Sequence, residues 1–300
     1  MNNQIENKYG FVAPVITETE RIFGASPTPS EDLQPDGQWG AFLPFDEMQN
    51  RNGLETYNCT AFGTNNAIEI YVARKFNQKK DYSDRFTGIM AGTLPPGNSP
   101  HIVADSIRKN GAIDESVLSF HDSVESLDEY FSFGSSVSSD ECKKLGKEWL
   151  ESYDFQHDWV FTSEVSLPEK ITRMVAALRH SPLGVSVHAW KKGGDGLFFK
   201  TSEDRDNHWV CLYGYVYGKY WEIFDSYDNT HKKLKWDYAF EFAKRYYIDT
   251  KKKEPVEVEA PVAEKPKVAS WWEKLKKWFD ALNDLLEQIF NKNKYEWGNA

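Results

Sequence analysis

The sequence has little of what secreted and membrane proteins need. Only three cysteines occur in its 300 residues, and an odd number this small excludes a disulfide framework. We therefore expect a reducing, intracellular compartment, with no secretory signal at the first residues and no apolar run near the roughly twenty residues of a membrane span. Acidic residues exceed basic ones by 46 to 36, and the resulting net charge of −10 argues against nucleic acid as a ligand.

The chain also lacks the spacings that bind metals or phosphates. The positions of its cysteines and its seven histidines offer no metal-binding spacing. The Gly-Gly-Asp-Gly cluster at 193–196 is not followed by a helix or by a Lys-Ser/Thr pair, which a phosphate-binding loop requires. We therefore expect no metal ion and no cofactor.

One cysteine stands at the start of a predicted helix. Residues 60–76 follow Cys59 directly and place Phe62, Asn66 and Ile70 on one face at helical spacing. In the first turn of a helix, the positive end of the dipole favours the thiolate over the thiol, and the thiolate is the nucleophile. An isolated cysteine is more often a small buried core residue, so this interpretation needs a base elsewhere in the sequence.

A histidine at a suitable distance supplies that base. His208 lies 149 positions after Cys59, within the separation of roughly 130 to 150 that single-nucleophile enzymes of the papain type show. It opens a strand-like run, and a second aromatic-rich run ends at Asp225, so the two predict a hairpin turning at 216–218. Asp225 can then reach back to the imidazole of His208.

These residues carry a resemblance to the papain-like cysteine peptidases, over about residues 40 to 250. Six fragments in the family's order are similar: Cys59-Thr60-Ala61-Phe62, Tyr82-Ser83-Asp84-Arg85, Gly97-Asn98-Ser99 with the helix ending Asn110-Gly111-Ala112-Ile113, Pro182-Leu183-Gly184-Val185-Ser186-Val187, Asn207-His208-Trp209-Val210, and Tyr220 to Tyr227. The resemblance implies an α+β, two-lobed fold. One lobe would be helical around Cys59, and the other would be a sheet around His208.

The resemblance also implies site residues. Cys59 would be the nucleophile, His208 the base and Asp225 the orienting group, in place of the family's Asn, with the rings of Trp221 and Tyr227 shielding the pair. The family's oxyanion Gln lies about six residues before the cysteine, where this chain has Gly53. The nearest candidate is Gln49, beyond a turn-like insertion at 50–53, and the backbone N–H of Cys59 would be the second donor.

Substrate-binding positions follow from the same likeness. The loop Gly97, Asn98 and Ser99, together with Asn207, would hold a polypeptide substrate. Apolar periodicity predicts further helices at 102–110, 127–131, 142–149 and 167–179. Strands at 184–190 and 197–200 flank the glycine cluster at 193–196 and are expected to pair with each other.

Both ends of the chain differ from this central domain at 41–250. Residues 1–40 contain several prolines and are expected to form an extended arm along the surface, and residues 251–269 a flexible linker. Residues 270–294 predict a tethered amphipathic helix, because apolar residues recur three and four apart from Trp271 to Ile289. Its face must pack on a second copy, a partner, its own domain or a membrane surface. A nearly neutral polar face favours a protein partner over a membrane.

Two functions fit this organisation. The first is a papain-like thiol hydrolase that cleaves peptide or isopeptide bonds and docks to a partner or assembly through its C-terminal helix. The second is a catalytically silent structural or carrier component that keeps the same scaffold. The region from Leu43 to Glu69 has a looser resemblance to papain-like proteins of tailed bacteriophages, which implies that a virion setting is open for either function.

Overall fold

A computed structural model describes residues 9–17, 22–23, 32–121, 123–134, 137–162 and 165–251, together with Lys276. Up to residue 251, the described residues form six α-helices: α1 (Cys59–Phe76), α2 (Asp84–Ala91), α3 (Pro100–Asn110), α4 (Leu127–Tyr130), α5 (Ser139–Ser152) and α6 (Leu167–Leu178). A 3₁₀ turn at Gly40–Phe42 precedes them. None of the helices described has the length and apolar character needed to cross a membrane.

The helices predicted from periodicity are confirmed, each with its ends within a few residues. Periodicity does not predict α2, because its eight residues make too few turns for a pattern to be visible. Local capping defines it instead. Ser83 Oγ accepts a 3.1 Å hydrogen bond from the Phe86 N–H, and Gly92 ends the helix in the left-handed conformation.

Helix α1 is the central element of the fold. Fourteen of its residues, from Cys59 to Val72, are buried, and it ends at Asn77, whose φ of 53° is left-handed. The carbonyl of Asn58 accepts hydrogen bonds from the N–H groups of Ala61 and Phe62, which fixes the start of the helix. One side of α1 packs on α2 and α3, and the other packs on the sheet.

The sheet has eight strands in the order β3-β10-β4-β7-β8-β9-β6-β5. The strands are β3 (Tyr153–Phe161), β4 (Leu183–Val187), β5 (Lys191–Lys192), β6 (Phe198–Phe199), β7 (His208–Val216), β8 (Tyr220–Asp225), β9 (Thr230–Lys235) and β10 (Ala243–Thr250). A separate antiparallel pair, β1 (Asn50–Arg51) and β2 (Leu54–Glu55), lies just before α1.

The predicted hairpin is confirmed, because β7 and β8 pair antiparallel with Cys211 opposite Phe224. The predicted pairing across the glycine cluster is wrong. Strand β4 pairs with β7 and β10, whereas the short strand β6 pairs with β5 and, in parallel, with β9. All five residues of β4 are buried, so it belongs in the middle of the sheet, where a partner is needed on both edges.

The described part of the N-terminal arm does not follow the expected surface path throughout. Phe11, Leu33 and Trp39 are buried, and the indole N–H of Trp39 donates to the carbonyl of Leu178 at 2.7 Å. The linker expected at 251–269 and the helix expected at 270–294 lie outside the described residues, except for Lys251 and Lys276. Lys276 is helical and exposed.

Candidate active site

Cys59 begins α1 and is completely buried. The residues packed around it are aromatic: Phe11, Trp159, Trp209 and Phe242. Burial raises the pKa of the thiol well above its usual value, and the backbone N–H groups of Trp209 and Thr60 oppose this shift only in part. Burial therefore disfavours the thiolate in this conformation, and the sulfur lies against the residue that follows His208.

A glycine allows α1 and β7 to approach this closely. A Cβ atom at Gly63, one turn after Cys59, would lie 2.9 Å from Cδ1 and 3.1 Å from the carbonyl oxygen of Trp209. Such distances are shorter than normal packing allows. The absence of a side chain at this position thus brings the first turn of the helix onto the first residues of β7.

His208 begins β7, and Asp225 ends β8, as the hairpin prediction requires. Both side chains are completely buried, and His208 Nε2 lies 2.7 Å from Asp225 Oδ1. The other ring nitrogen, Nδ1, has no hydrogen-bond partner among the residues that the structure describes. One nitrogen is thus held by a carboxylate, and the other can accept a proton.

Asp225 also has a cationic partner that no sequence motif indicates. Lys232 on β9 donates to Asp225 Oδ2 at 2.6 Å and is itself almost fully buried. Burial alone would raise the pKa of the carboxyl, but His208 and Lys232 outweigh it and lower the pKa to about 2. Asp225 is therefore ionised at any pH at which the protein would work.

Three aromatic rings surround the imidazole. The ring centroids of Tyr9, Trp190 and Tyr227 lie 5.1, 5.9 and 6.1 Å from that of His208. The expectation for Tyr227 agrees with this position, but the expectation for Trp221 does not. Trp221 stacks on Trp236 at 4.3 Å and donates its indole N–H to the Trp236 carbonyl, so it belongs to the core of the sheet.

Gln49 lies close to the site, and its side-chain amide already donates hydrogen bonds within the protein. Its Nε2 donates to the backbone carbonyl of Tyr9 at 3.0 Å and to Glu55 Oε1 at 2.9 Å. These two bonds use both amide N–H groups. Burial raises the pKa of Glu55, and its Oε1 also accepts from the Tyr57 N–H at 2.9 Å. No motif in the sequence marks Glu55 as a site residue.

The loop expected to bind substrate contacts the N-terminal segment of the chain. Gly10 O accepts from the Asn98 N–H, and the Val12 N–H donates to Asn98 O, both at 2.9 Å. At Gly97, a Cβ atom would lie 1.9 Å from Gly10 O, so only glycine permits this approach. Residues 9–12, which we call the strap, therefore lie against the loop in the manner of an added strand.

The two remaining predicted substrate-binding residues have structural contacts. Ser99 caps α3, where its Oγ accepts from the His101 N–H at 3.3 Å. Asn207 bonds to both sides of the β4 terminus, because its N–H donates to Val187 O and its Oδ1 accepts from the Ala189 N–H. It lies directly before His208 and fixes the start of β7.

The strap covers the residues predicted for catalysis. Tyr9 packs on the His208 ring, and Phe11 stacks on Trp209 with the rings 1° from parallel and 5.9 Å apart. Phe11 is 3% exposed and belongs to the group of side chains around Cys59. Periodicity and motif gave no signal for this contact, because the strap is short and pairs with a loop far away in sequence.

No protein-family model matches the sequence, and no curated protein matches it significantly. Solved structures do match. Xylellain, a cysteine protease from Xylella fastidiosa, is similar over 84% of this chain and 98% of that chain, with a TM-score of 0.56 and 16% identity. Digestive procathepsin L 3 of Tenebrio molitor larval midgut is similar over 80% and 76%, with a TM-score of 0.52 and 15% identity. The fold is papain-like.

This likeness confirms the expected fold class, an α+β architecture with helices and a mainly antiparallel sheet on either side of a central helix. At this level of identity, the comparison establishes the papain-like fold and leaves the chemistry to be argued from the chain's own residues. Those residues place a buried thiol, a carboxylate-bound imidazole and a side-chain amide at one end of α1.

Proposed function

We propose that the protein is a thiol hydrolase that cleaves peptide or isopeptide bonds at Cys59. The observation that supports this most is the 2.7 Å bond between His208 Nε2 and Asp225 Oδ1. This bond orients the ring so that Nδ1 remains available. The next residue, Trp209, has its backbone N–H facing the Cys59 sulfur. An oriented imidazole beside a thiol is the arrangement that nucleophilic catalysis needs.

The proposed reaction has two halves, formation and hydrolysis of a thioester, and His208 accepts and returns a proton in each. Nδ1 of His208 takes the thiol proton, and the sulfur of Cys59 bonds to the substrate carbonyl carbon. The oxygen of that carbonyl becomes an oxyanion, which the Cys59 backbone N–H and the Gln49 amide would stabilise. The oxyanion collapses to a thioester as the C–N bond breaks and His208 returns its proton to the leaving amine. Water, deprotonated by His208, then hydrolyses the thioester and restores the thiol.

The strap holds this site in a closed form. Tyr9 and Phe11 occupy the space beside His208 and Cys59, and the Tyr9 carbonyl takes one of the Gln49 donors. Cys59 is 0% exposed, so a substrate must displace the strap before it reaches the sulfur. Displacement would also admit water and remove part of the burial that raises the thiol pKa.

A peptidyl electrophile that alkylates thiols tests the proposal. The expected result is labelling at Cys59 that His208→Ala slows about a hundredfold or more, because the base is lost. Cys142 and Cys211 are internal controls, since both are buried and burial raises the pKa of each thiol. Equal labelling of all three cysteines, with no effect of His208→Ala in a variant whose strap is released, would contradict the proposal and favour a silent scaffold.

For residues 270–294, we propose that the amphipathic helix docks on a protein partner or a second copy of the chain. Its apolar seam and nearly neutral polar face, as read from the sequence, support this. Deleting residues 255–300 should abolish association while leaving Cys59 labelling unchanged. Unaltered mass in light scattering, together with unaltered partner capture, would contradict the docking role.

A further inference from the structure

Three carboxylates, two of them buried, cluster near the segment that carries Gln49. Ligand atoms of Glu47, Glu69 and Asp81 all lie within 4.8 Å of one another. They come from three separate places in the chain: the segment before β1, the middle of α1 and the connection between α1 and α2. Glu47 and Asp81 line a cavity of about 50 Å³, together with three more carboxylates, Asp46, Asp84 and Glu115.

Glu47 and Glu69 have oxygens that the protein leaves unsatisfied. Glu47 is 7% exposed, and both of its carboxylate oxygens are buried without a hydrogen-bond partner among the described residues. Glu69 is 1% exposed. Its Oε1 accepts from the Tyr82 N–H at 2.6 Å, but its Oε2 is also buried and has no partner in the described part of the chain. Buried carboxylates are normally paired or bound to a metal.

Five acidic side chains and one basic side chain, Arg51, line the cavity. A cation bound among Glu47, Glu69 and Asp81 would supply a partner for the carboxylate oxygens that the described residues leave unsatisfied.

We propose that Glu47, Glu69 and Asp81 bind a calcium ion. Carboxylate oxygens are hard ligands, and Ca²⁺ takes six to eight of them at about 2.3–2.6 Å. Two oxygens on opposite sides of such an ion lie up to about 5 Å apart, which agrees with the 4.8 Å limit of the cluster. A cavity of about 50 Å³ is large enough for the ion with a water molecule. Magnesium would require a tighter, octahedral set of ligands.

The ion would connect parts of the chain that frame the candidate active site. Glu47 lies two residues before Gln49, and Glu69 lies on the helix that begins at Cys59. Asp81 is half-buried, which gives the ion a route from solvent. Cysteine and histidine spacings in the sequence predict no metal ion, whereas these ligands are acidic and far apart in sequence.

The test uses the full chain, stripped of metal with a chelator and then titrated with CaCl2 or MgCl2 by calorimetry. We expect one Ca²⁺ per chain and weaker binding of Mg²⁺. The unfolding temperature should rise by on the order of 5–10 °C when free Ca²⁺ exceeds its Kd about a hundredfold. No binding and no rise at millimolar Ca²⁺ would overturn the proposal, and equal binding of Mg²⁺ would overturn the assignment to calcium.

Variants separate a metal site from a purely structural role. Glu47→Gln and Glu69→Gln should each weaken Ca²⁺ binding at least about tenfold, because each removes a charged ligand. In chelator, the same variants should be as stable as the parent or more stable, because a buried charge is removed. If Glu47→Gln and Glu69→Gln do not fold, Asp81→Asn replaces them in this test, because Asp81 is only half-buried.

The matched control is Glu148→Gln, which removes an exposed carboxylate from α5. It should leave the Ca²⁺ affinity within about twofold of the parent. If it weakens binding as much as Glu47→Gln does, the site is refuted. Binding and unfolding do not depend on turnover, so an inactive protein would not affect this test.

Discussion

The backbone carbonyl of Tyr9 accepts a 3.0 Å hydrogen bond from the side-chain amide of Gln49. The same nitrogen donates to Glu55, so the amide proposed to stabilise an oxyanion is bound instead to an oxygen of the strap. Tyr9 also packs on His208. A single short segment thus contacts the proposed base and the proposed oxyanion donor, and the state of the strap decides whether either can act.

Releasing the strap should expose the thiol. Phe11→Ala removes the ring that stacks on Trp209 and lies in the cluster around Cys59. Loss of a buried phenylalanine costs about 3–5 kcal/mol where it is fully packed, and each 1.4 kcal/mol corresponds to about tenfold in an equilibrium. We expect alkylation of Cys59 to become about tenfold faster or more, measured by mass spectrometry of the labelled peptide.

Val15→Ala is the matched control for this change. Val15 lies three residues after the strap and is 86% exposed, so labelling should remain at the parental rate. If Phe11→Ala labels no faster than Val15→Ala, the strap does not limit access to Cys59.

Asp225 should make stability depend on pH in a limited range. Its pKa in the folded protein is about 2, below the ordinary value of 3.8. A depressed pKa means that the ionised carboxylate stabilises the fold above about pH 4, and that this stabilisation disappears as the pH falls through 2. The free energy of unfolding of the parent minus that of Asp225→Asn should therefore decrease by about 2 kcal/mol between pH 5 and 2. Urea unfolding at each pH measures it.

Asp228→Asn controls for general charge effects, because Asp228 contacts the same lysine, Lys232, but is 47% exposed. The difference between the parent and this variant should change little over the same pH range. A similar decrease for both variants would indicate that the bond between His208 and Asp225 carries no special stability.

The sequence predicts the geometry of the candidate site well where local pattern and chain order agree. The helix after Cys59 and the hairpin from His208 to Asp225 follow from periodicity and turn residues. The pairing of β4 was wrong because two strands beside a glycine turn resemble a hairpin, and only burial on both faces shows that β4 is central.

Tertiary contacts account for what the sequence did not predict. Lys232 reaches Asp225 because β8 and β9 are neighbours in the sheet, and Phe11 reaches Trp209 because the strap pairs with the loop at Asn98. The ring beside His208 is that of Trp190 and not the expected ring of Trp221, and Trp190 lies in a different segment of the chain. No spacing in the sequence encodes these contacts.

Close packing of α1 on β7 should make Gly63 sensitive to one added methyl group. Alanine favours helices over glycine, but its Cβ at this position would lie 2.9 Å from the Trp209 ring and 3.2 Å from Val210 Cα. We expect Gly63→Ala to lower the free energy of unfolding by about 1–3 kcal/mol, as overpacking does. Gly194→Ala, which has no atom within 4 Å of its added Cβ, should change stability little. Equal effects in urea unfolding would contradict the proposed close approach.

Gln49→Ala separates the two roles that the structure suggests for this amide. Alkylation by iodoacetamide forms no oxyanion, so its rate at Cys59 reports only access and thiol reactivity. Loss of the bond to Tyr9 should release the strap and make alkylation faster than in the parent. Hydrolysis of a peptide substrate does form an oxyanion, and loss of one donor typically costs about a hundredfold or more.

We therefore expect opposite changes in the two assays, with faster alkylation and slower hydrolysis. Adding Gln49→Ala to Phe11→Ala sharpens the comparison, because the strap is already released in that background. There, Gln49→Ala should leave alkylation unchanged and still slow hydrolysis about a hundredfold. If hydrolysis is unaffected in the released background, Gln49 only anchors Tyr9, and the oxyanion is stabilised by other donors, such as the Cys59 backbone N–H at the start of α1.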